Sequence, residues 1–330
     1  MQKGRSLSTG CVLCHQGAKM VLFISGLCPR SCWYCPLSRE RKGRDVIYAN
    51  ERRIHTPEEA ALVARLMSAL GTGITGGEPL SVPERVGEYA RYLKREFGTS
   101  HHIHLYTGMA PGREHFSGLV GLVDEIRMHP PPEDWDGIMD TPYREAARTA
   151  RSMGFSVGFE VPSLPGIGSL APMLPLLDFL NINELEWGET NASAMRERRM
   201  VLEDGVHNAV SGARGWAASL TGHPKVHWCS SRFKDSVQLR KRLLRVAKNT
   251  ARPFDQITRD GTILYGVLES GGVVPALFHQ LEPDMYEQTD GAFETAWWVL
   301  TEFADQIEGK KTIVERYPDR GLVVEVTPIP

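Results

Sequence analysis

Short apolar runs alternate with amphipathic stretches through the first two-thirds of this chain, and few folds accommodate that rhythm. Residues 20–25, 72–75, 102–107, 125–129, 156–161 and 181–187 have the length and apolar content of strands. Helix-like segments lie between them. Thr56-Pro57-Glu58-Glu59 supplies an N-cap, a first-turn proline and two acids facing the positive end of the helix dipole; the helix it opens runs through residues 60–70 to Gly71. Residues 81–97 form a second helix, closed by Gly98, and 141–153 another, closed by Gly154, whereas 169–180 is interrupted by Pro172 and Pro175. The alternation predicts parallel βαβ units in an α/β fold, and six repeats fit an incomplete (β/α) barrel; a doubly wound sheet has the same pattern. In parallel sheets active sites lie at the C-terminal ends of the strands, so the polar and glycine-rich motifs found there carry the functional reading.

Past residue 190 the character changes. Residues 191–202 read as a charged helix and 205–222 as a loose stretch rich in Gly, Ala and Ser. Residues 225–252 hold nine Lys or Arg against one acid, Asp235. Asp260-Gly261 between apolar runs is a hairpin signal. A long helix is expected over 293–307, and a closing hairpin over 312–329 turns at Asp319-Arg320-Gly321. This organisation divides the chain into an N-terminal arm (1–19), a βα portion (20–190) and a smaller α+β domain (191–330).

The 330 residues carry 38 Lys or Arg and 40 Asp or Glu, a net charge of −2, which excludes a protein that is basic all over. No apolar run approaches the roughly 20 residues needed to cross a bilayer. Residues 1–10 are polar and lack a signal-peptide core, so the expected location is the cytoplasm and no membrane partner is expected.

Six cysteines stand at 11, 14, 28, 32, 35 and 229, five of them within twenty-five residues. In a chain of this length without export signals, such clustering points to metal rather than to a disulfide framework. Cys28-Pro29-Arg30-Ser31-Cys32-Trp33-Tyr34-Cys35 is C-x3-C-x2-C directly after a strand. Three thiolates on so short a loop can hold three irons of a [4Fe–4S] cubane and leave the fourth open for chemistry. A zinc knuckle short of one ligand is the plainer alternative, but zinc pairs usually read C-x2-C on both sides. The second motif, Gly76-Gly77-Glu78-Pro79, follows an apolar run ending at Thr75, 41 residues after Cys35. Two glycines let a backbone approach closely, and Glu78 can buttress the loop or accept from a bound ammonium.

Together these motifs resemble the cluster loop and the GGEP signature of the radical S-adenosylmethionine (SAM) superfamily, over about residues 20–190, with a fainter likeness to the pyruvate formate-lyase activating-enzyme branch. The resemblance implies a partial (β/α)6 radical SAM barrel and a [4Fe–4S] cluster on Cys28, Cys32 and Cys35. It also implies SAM contacts at Tyr34, Gly76, Gly77, Glu78 and Pro79. The chemistry it implies is reductive, oxygen-sensitive cleavage of SAM to methionine and a 5′-deoxyadenosyl radical that takes hydrogen from a substrate, fed by an electron donor. Softer contacts at strand ends are Thr107, Arg127 with His129, and Glu160 in a G-x-x-x-G-x-E stretch like the family's adenine-supporting motif; the ordinary reading of each is a solvated strand end. Glu184, Glu186 and Glu189 close the sixth strand.

Two features lie outside that motif pair. Cys11-x2-Cys14 upstream and His227-x-Cys229 downstream compose a Cys3His set, readable as structural zinc, as an auxiliary iron–sulfur cluster, or as cysteines with no metal; His15 and His223 are alternative donors. Arg240, Lys241, Arg242, Arg245 and Lys248 lie on a helix that reads either as a solvated face over an apolar stripe or as an RNA-phosphate contact. Peptide or protein and RNA are accordingly the favoured substrates, with a small molecule third. The rival class is a non-catalytic iron–sulfur or zinc module that binds RNA or protein; it is weakened by the open iron, which a purely structural cluster does not need.

Overall fold

A computed structural model describes residues 7–330; residues 1–6, part of the polar N-terminal stretch, lie outside the described residues. Two compact units are present. One gathers the chain up to Arg65 with Ala69–Gln238; the other joins Leu66–Ser68 to Leu239–Pro330. Residues 191–238, whose composition differs from that of the preceding segment, thus gather with the first unit.

The first unit is α/β, built on a nine-stranded sheet. Its strands are β1 (Lys19–Phe23), β2 (Ile47–Ala49), β3 (Arg52–Ile54), β4 (Gly71–Thr75), β5 (His102–Thr107), β6 (Glu125–Met128), β7 (Ser156–Pro162), β8 (Phe179–Asn183) and β9 (Val226–Cys229). The order is β3-β2-β1-β4-β5-β6-β7-β8-β9, parallel from β1 onward, with β2 and β3 antiparallel at one edge. Six of the seven parallel strands are those expected, their ends moved by up to four residues. The seventh, β9, is four residues long, carries His227 and Trp228 and sits in a basic stretch, so no apolar run marked it. The edge pair escaped for a similar reason: β3 begins with exposed Arg52 and Arg53 and buries only Ile54.

Alternation along the strands separates two faces. Ile74, Ile103, Leu105, Ile126, Val157, Phe159 and Leu180 are buried; each such side chain stabilises the fold by about 1.5–3 kcal/mol relative to exposure. The helices α2 (Pro57–Leu66), α3 (Pro83–Phe97), α4 (Arg113–Ser117) and α5 (Pro142–Ser152) connect successive strands. In α2 the Thr56 hydroxyl accepts from Glu59 N (3.4 Å), while Glu59 accepts from Thr56 N (3.2 Å) and His55 N (2.5 Å), a reciprocal cap. The inward positions are polar: Lys19, Tyr106, Arg127, Glu160, Asn181 and His227 line one cavity, so the sheet curls until β1 and β9 face a common space.

A short helix, Thr9–His15, precedes β1; in chain order it is α1. No apolar periodicity marks it in the sequence. Ser8 caps it, accepting from Cys11 N (3.3 Å), and donates to Glu125 (3.2 Å), while Gly10 N donates to Glu125 (3.3 Å). A Cβ on Gly10 would come within 2.5 Å of Arg127 and His104, so only glycine lets α1 approach the inner face.

Three helix expectations need correction. Residues 169–180 do not form an α-helix: a 3-10 stretch covers Ile167–Met173 and β8 starts at Phe179, because the prolines lack the donors a helix needs. The charged helix is confined to Ala192–Glu197. The region 293–307 opens as a strand that buries Phe293 and Thr295, with helix only at Trp297–Glu302.

The second unit holds β10 (Gln256–Ile257), β11 (Ile263–Glu269), β12 (Tyr286–Thr289), β13 (Ala292–Thr295), β14 (Lys310–Arg316) and β15 (Val323–Ile329). The order is β12-β13-β11-β14-β15, with β10 on β11 and every pairing antiparallel. Gly261 adopts φ +87° in the turn before β11, and Asp319 and Arg320 take positive φ between β14 and β15, where both turns were expected. Phe254, Leu268, Phe278, Phe293, Val299 and Leu300 form the core.

Candidate active site

The C-x3-C-x2-C segment leaves the C-terminal end of β1, and the GGEP segment leaves that of β4, the neighbouring strand. Their backbones are joined: Gly77 N donates to Ser25 O (2.7 Å) and Glu78 N to Leu27 O (2.8 Å). A Cβ on Gly76 would overlap the Ser25 carbonyl, and one on Gly77 the Leu27 carbonyl, so the two glycines are required by this close approach. Gly26 meets the same limit against the Arg41 carbonyl, a constraint invisible without the fold.

A cavity of about 620 Å³ opens here, lined by Cys28, Cys32, Cys35, Tyr34, the residues Gly76 to Pro79, and Thr107. All six cysteines are free thiols. Cys28 is exposed and Cys32 and Cys35 are half-buried; Arg30 N donates to the Cys28 sulfur (3.4 Å). Three unpaired thiols beside a glycine cradle fit an iron–sulfur group in donor chemistry.

Glu78 is buried, and its carboxylate takes three hydrogen bonds. It accepts from Leu80 N (2.9 Å), the Thr107 hydroxyl (2.8 Å) and Gly108 N (2.7 Å), binding the end of β5 to the GGEP turn. Thr107 is buried in the same network. Arg30, from inside the cysteine loop, donates to His129 O (2.9 Å) and the Tyr143 hydroxyl (2.5 Å), and Tyr143 in turn donates to Gly108 O.

Tyr34 is buried with its hydroxyl 2.9 Å from His129 Nε2, while His129 Nδ1 lies 2.8 Å from the Glu160 carbonyl. A carbonyl only accepts, so the hydrogen-bond pattern assigns the proton to Nδ1 and makes Nε2 the acceptor for Tyr34. Burial drives His129 down to about 4, with the Glu160 carbonyl acting the other way, and the imidazole is neutral at pH 7. Thr190 donates to Cys35 O (3.1 Å) and Leu37 O (2.6 Å), and Asn191 to Tyr34 O (3.1 Å), closing the loop from the far side of the sheet.

Arg127 and Glu160 stand elsewhere. Both line a second, inner cavity of about 220 Å³ rather than the cavity of the cysteine loop. Arg127 is buried, paired with Glu125 and with Glu160 (2.5 Å), and donates to Ser8 (3.0 Å) and Tyr106 (3.2 Å). Burial opposes charge on Glu160, but Arg127, Lys19 and the amides of Asn183 and Asn181 outweigh it and hold the carboxyl at about 2. Cys11, Cys14, His227 and Cys229 all line this inner cavity, with His15 beside them; among the described residues, no three His, Cys, Asp or Glu are grouped closely enough to hold a single metal ion. Burial pushes the Cys229 thiol up to about 12 and raises that of Cys11. The two cavities share Thr75, Tyr106, Asn183 and Lys234 in their walls. Of the glutamates after β8, Glu184 and Glu186 line the cavity of the cysteine loop, Glu184 accepting from Ser231 N (2.8 Å) and Glu186 meeting Lys234 (2.8 Å), whereas Glu189 meets Arg39 (3.0 Å) on an exposed surface.

Sequence reasoning missed Arg30, Tyr143, Thr190 and Asn191 because each is an ordinary polar residue whose partners lie far away along the chain. The one usable signal was position, since Thr190 and Asn191 follow the sixth expected strand. Among the described residues no helix is long and apolar enough to cross a membrane.

Comparison with known proteins adds three findings. A family model described as a domain of unknown function (DUF8061) matches residues 261–329. Over 276 residues the chain is 38% identical to a putative glycyl-radical enzyme activating enzyme of Methanocaldococcus jannaschii, covering 79% of this chain and 73% of that protein. Among solved structures, Streptococcus suis SuiB bound to S-adenosylmethionine aligns with a TM-score of 0.43 at 10% identity, covering 64% of this chain and 50% of SuiB. SuiB bound to its precursor peptide SuiA gives 0.39 at 11%, covering 65% and 58%. The chain thus spans about half the length of SuiB.

Proposed function

The chain belongs to the radical SAM enzymes, and we propose that it activates a partner protein by drawing a hydrogen atom from a glycine of that partner, using a [4Fe–4S] cluster on Cys28, Cys32 and Cys35 with SAM at the open iron. The observation that carries this reading is the single cavity in which the three thiols meet the Gly76–Gly77 backbone, Tyr34 and Thr107. The name of the M. jannaschii relative supports the choice of a protein substrate over RNA or a small molecule. When bound, cluster and SAM supply one-electron cleavage of a carbon–sulfur bond and hydrogen abstraction, with the electron drawn from a separate donor.

The chain's own residues provide the setting. Gly76 and Gly77 bring the SAM turn against the cysteine loop, and Glu78 fixes that turn to Thr107 and Gly108. Tyr34, held by neutral His129, offers its ring to the adenine. Arg127 and Glu160, in the inner cavity, hold the strands that carry these groups rather than touch the cofactor. In this reading the curled sheet is the partial (β/α)6 barrel, residues 191–330 select or cover substrate, and the enzyme works in the cytoplasm with an oxygen-sensitive cluster.

The test is anaerobic: iron-reconstituted protein with SAM, dithionite and a candidate glycyl-radical protein from the same cell, following 5′-deoxyadenosine and methionine by mass spectrometry and a partner radical by electron paramagnetic resonance. Both products are expected, and Cys32→Ala is expected to lose them by at least 100-fold. SAM bound but left intact by the reconstituted protein in the partner's presence would sink the proposal.

A further inference from the structure

Cys11-x2-Cys14 and His227-x-Cys229 have no part in the reaction proposed above. We infer that Cys11, Cys14 and Cys229, with His227 as the fourth donor, bind a second iron–sulfur cluster in the inner cavity, distinct from the one on the Cys28–Cys35 loop.

The first argument is convergence. An i, i+3 pair shares one face of a helix and an i, i+2 pair one face of a strand. Here the helix pair is on α1 and the strand pair on β9, more than 200 residues later, and all four side chains reach the same cavity. The second is space. The cavity measures about 220 Å³, yet among the described residues no three donors are grouped tightly enough for one ion. Thiols standing around a void, rather than converging on a point, suit a polynuclear core and not a tetrahedral zinc.

Hydrogen bonding to sulfur is the third. Asn181 Nδ2 lies 3.2 Å and Arg127 Nη2 3.7 Å from Cys11 Sγ, and Gln238 Nε2 lies 3.8 Å from Cys229 Sγ. Donors directed at sulfur are the outer support that a metal-bound thiolate takes. The cluster would also fasten α1 to β9, closing the cavity at the end away from the SAM turn.

The test begins with the Cys28→Ala, Cys32→Ala, Cys35→Ala triple variant, which removes the loop site. Reconstituted anaerobically with iron and sulfide and then desalted, it is expected to retain roughly two to four irons per chain with matching acid-labile sulfide. Adding Cys229→Ser should reduce both at least tenfold. A triple variant that holds no sulfide, or holds zinc alone, overturns the inference. Should that variant not fold, reduced wild-type protein still decides: two paramagnetic signals are expected, only one of them altered by SAM, and a single signal wholly altered by SAM overturns it. Failure of SAM cleavage in wild type would count against the proposed reaction and leave the triple variant's iron unchanged, so the two ideas fail separately.

Discussion

At the scale of single residues, Gly76 and Gly77 do the most with the least. Their missing side chains bring the GGEP turn within hydrogen-bonding reach of the residues preceding Cys28. Gly76→Ala is expected to force the two segments apart, costing about 1–3 kcal/mol in chemical denaturation as a small-to-large change in a packed site. It should also weaken SAM binding at least tenfold by calorimetry; an unchanged SAM affinity would show that the close approach does not matter. These glycines and the three loop cysteines were legible in the sequence because the chemistry allows almost no other residue types at those spacings. Arg127 was legible only as a polar strand end. Its burial and its pairing with both Glu125 and Glu160 depend on which strands become neighbours, and no local pattern records that.

Among the elements, the six expected strands announced themselves by apolar length, and the turns at Asp260-Gly261 and Asp319-Arg320-Gly321 by residues that accept positive φ. What stayed hidden was every element stabilised by partners rather than by its own pattern: β9, the β2–β3 edge, and α1. The last depends heavily on Ser8, which caps the helix and also bridges Glu125 and Arg127 within the buried network. Ser8→Ala removes a cap and leaves charged groups short of a partner, so a loss of about 2 kcal/mol is expected in urea unfolding. A loss below about 0.5 kcal/mol, the range of an ordinary surface substitution, would mean that α1 is held by its apolar contacts alone.

For the molecule as a whole, the buried imidazoles set the response to acid. His101 and His129 are each driven down to about 4 by burial, and burial also lowers His102 and His104. In the unfolded chain these histidines take up protons near pH 6.5, while the folded chain keeps them neutral. The unfolded state therefore binds more protons between pH 6.5 and 4, and stability is lost as pH falls through that window, by up to about 3 kcal/mol for each histidine shifted this far. Below it the same sign continues through Glu160, whose stabilising charge is lost as pH falls from 4.5 towards 2. Urea midpoints are expected to drop steadily from pH 7 to pH 4.5, and His101→Gln should flatten that slope; a flat profile in wild type would contradict the buried neutral state. The position of α1 has a temporal corollary. Parallel strands β1 and β4 to β9 neighbour one another in the order in which a ribosome makes them, so each can join the edge left by the last. The helix made before all of them docks on Glu125 of β6 and Asn181 of β8, partners made 115 and 170 residues after the helix residues that meet them. An element made before the whole sheet is among the last to find its place.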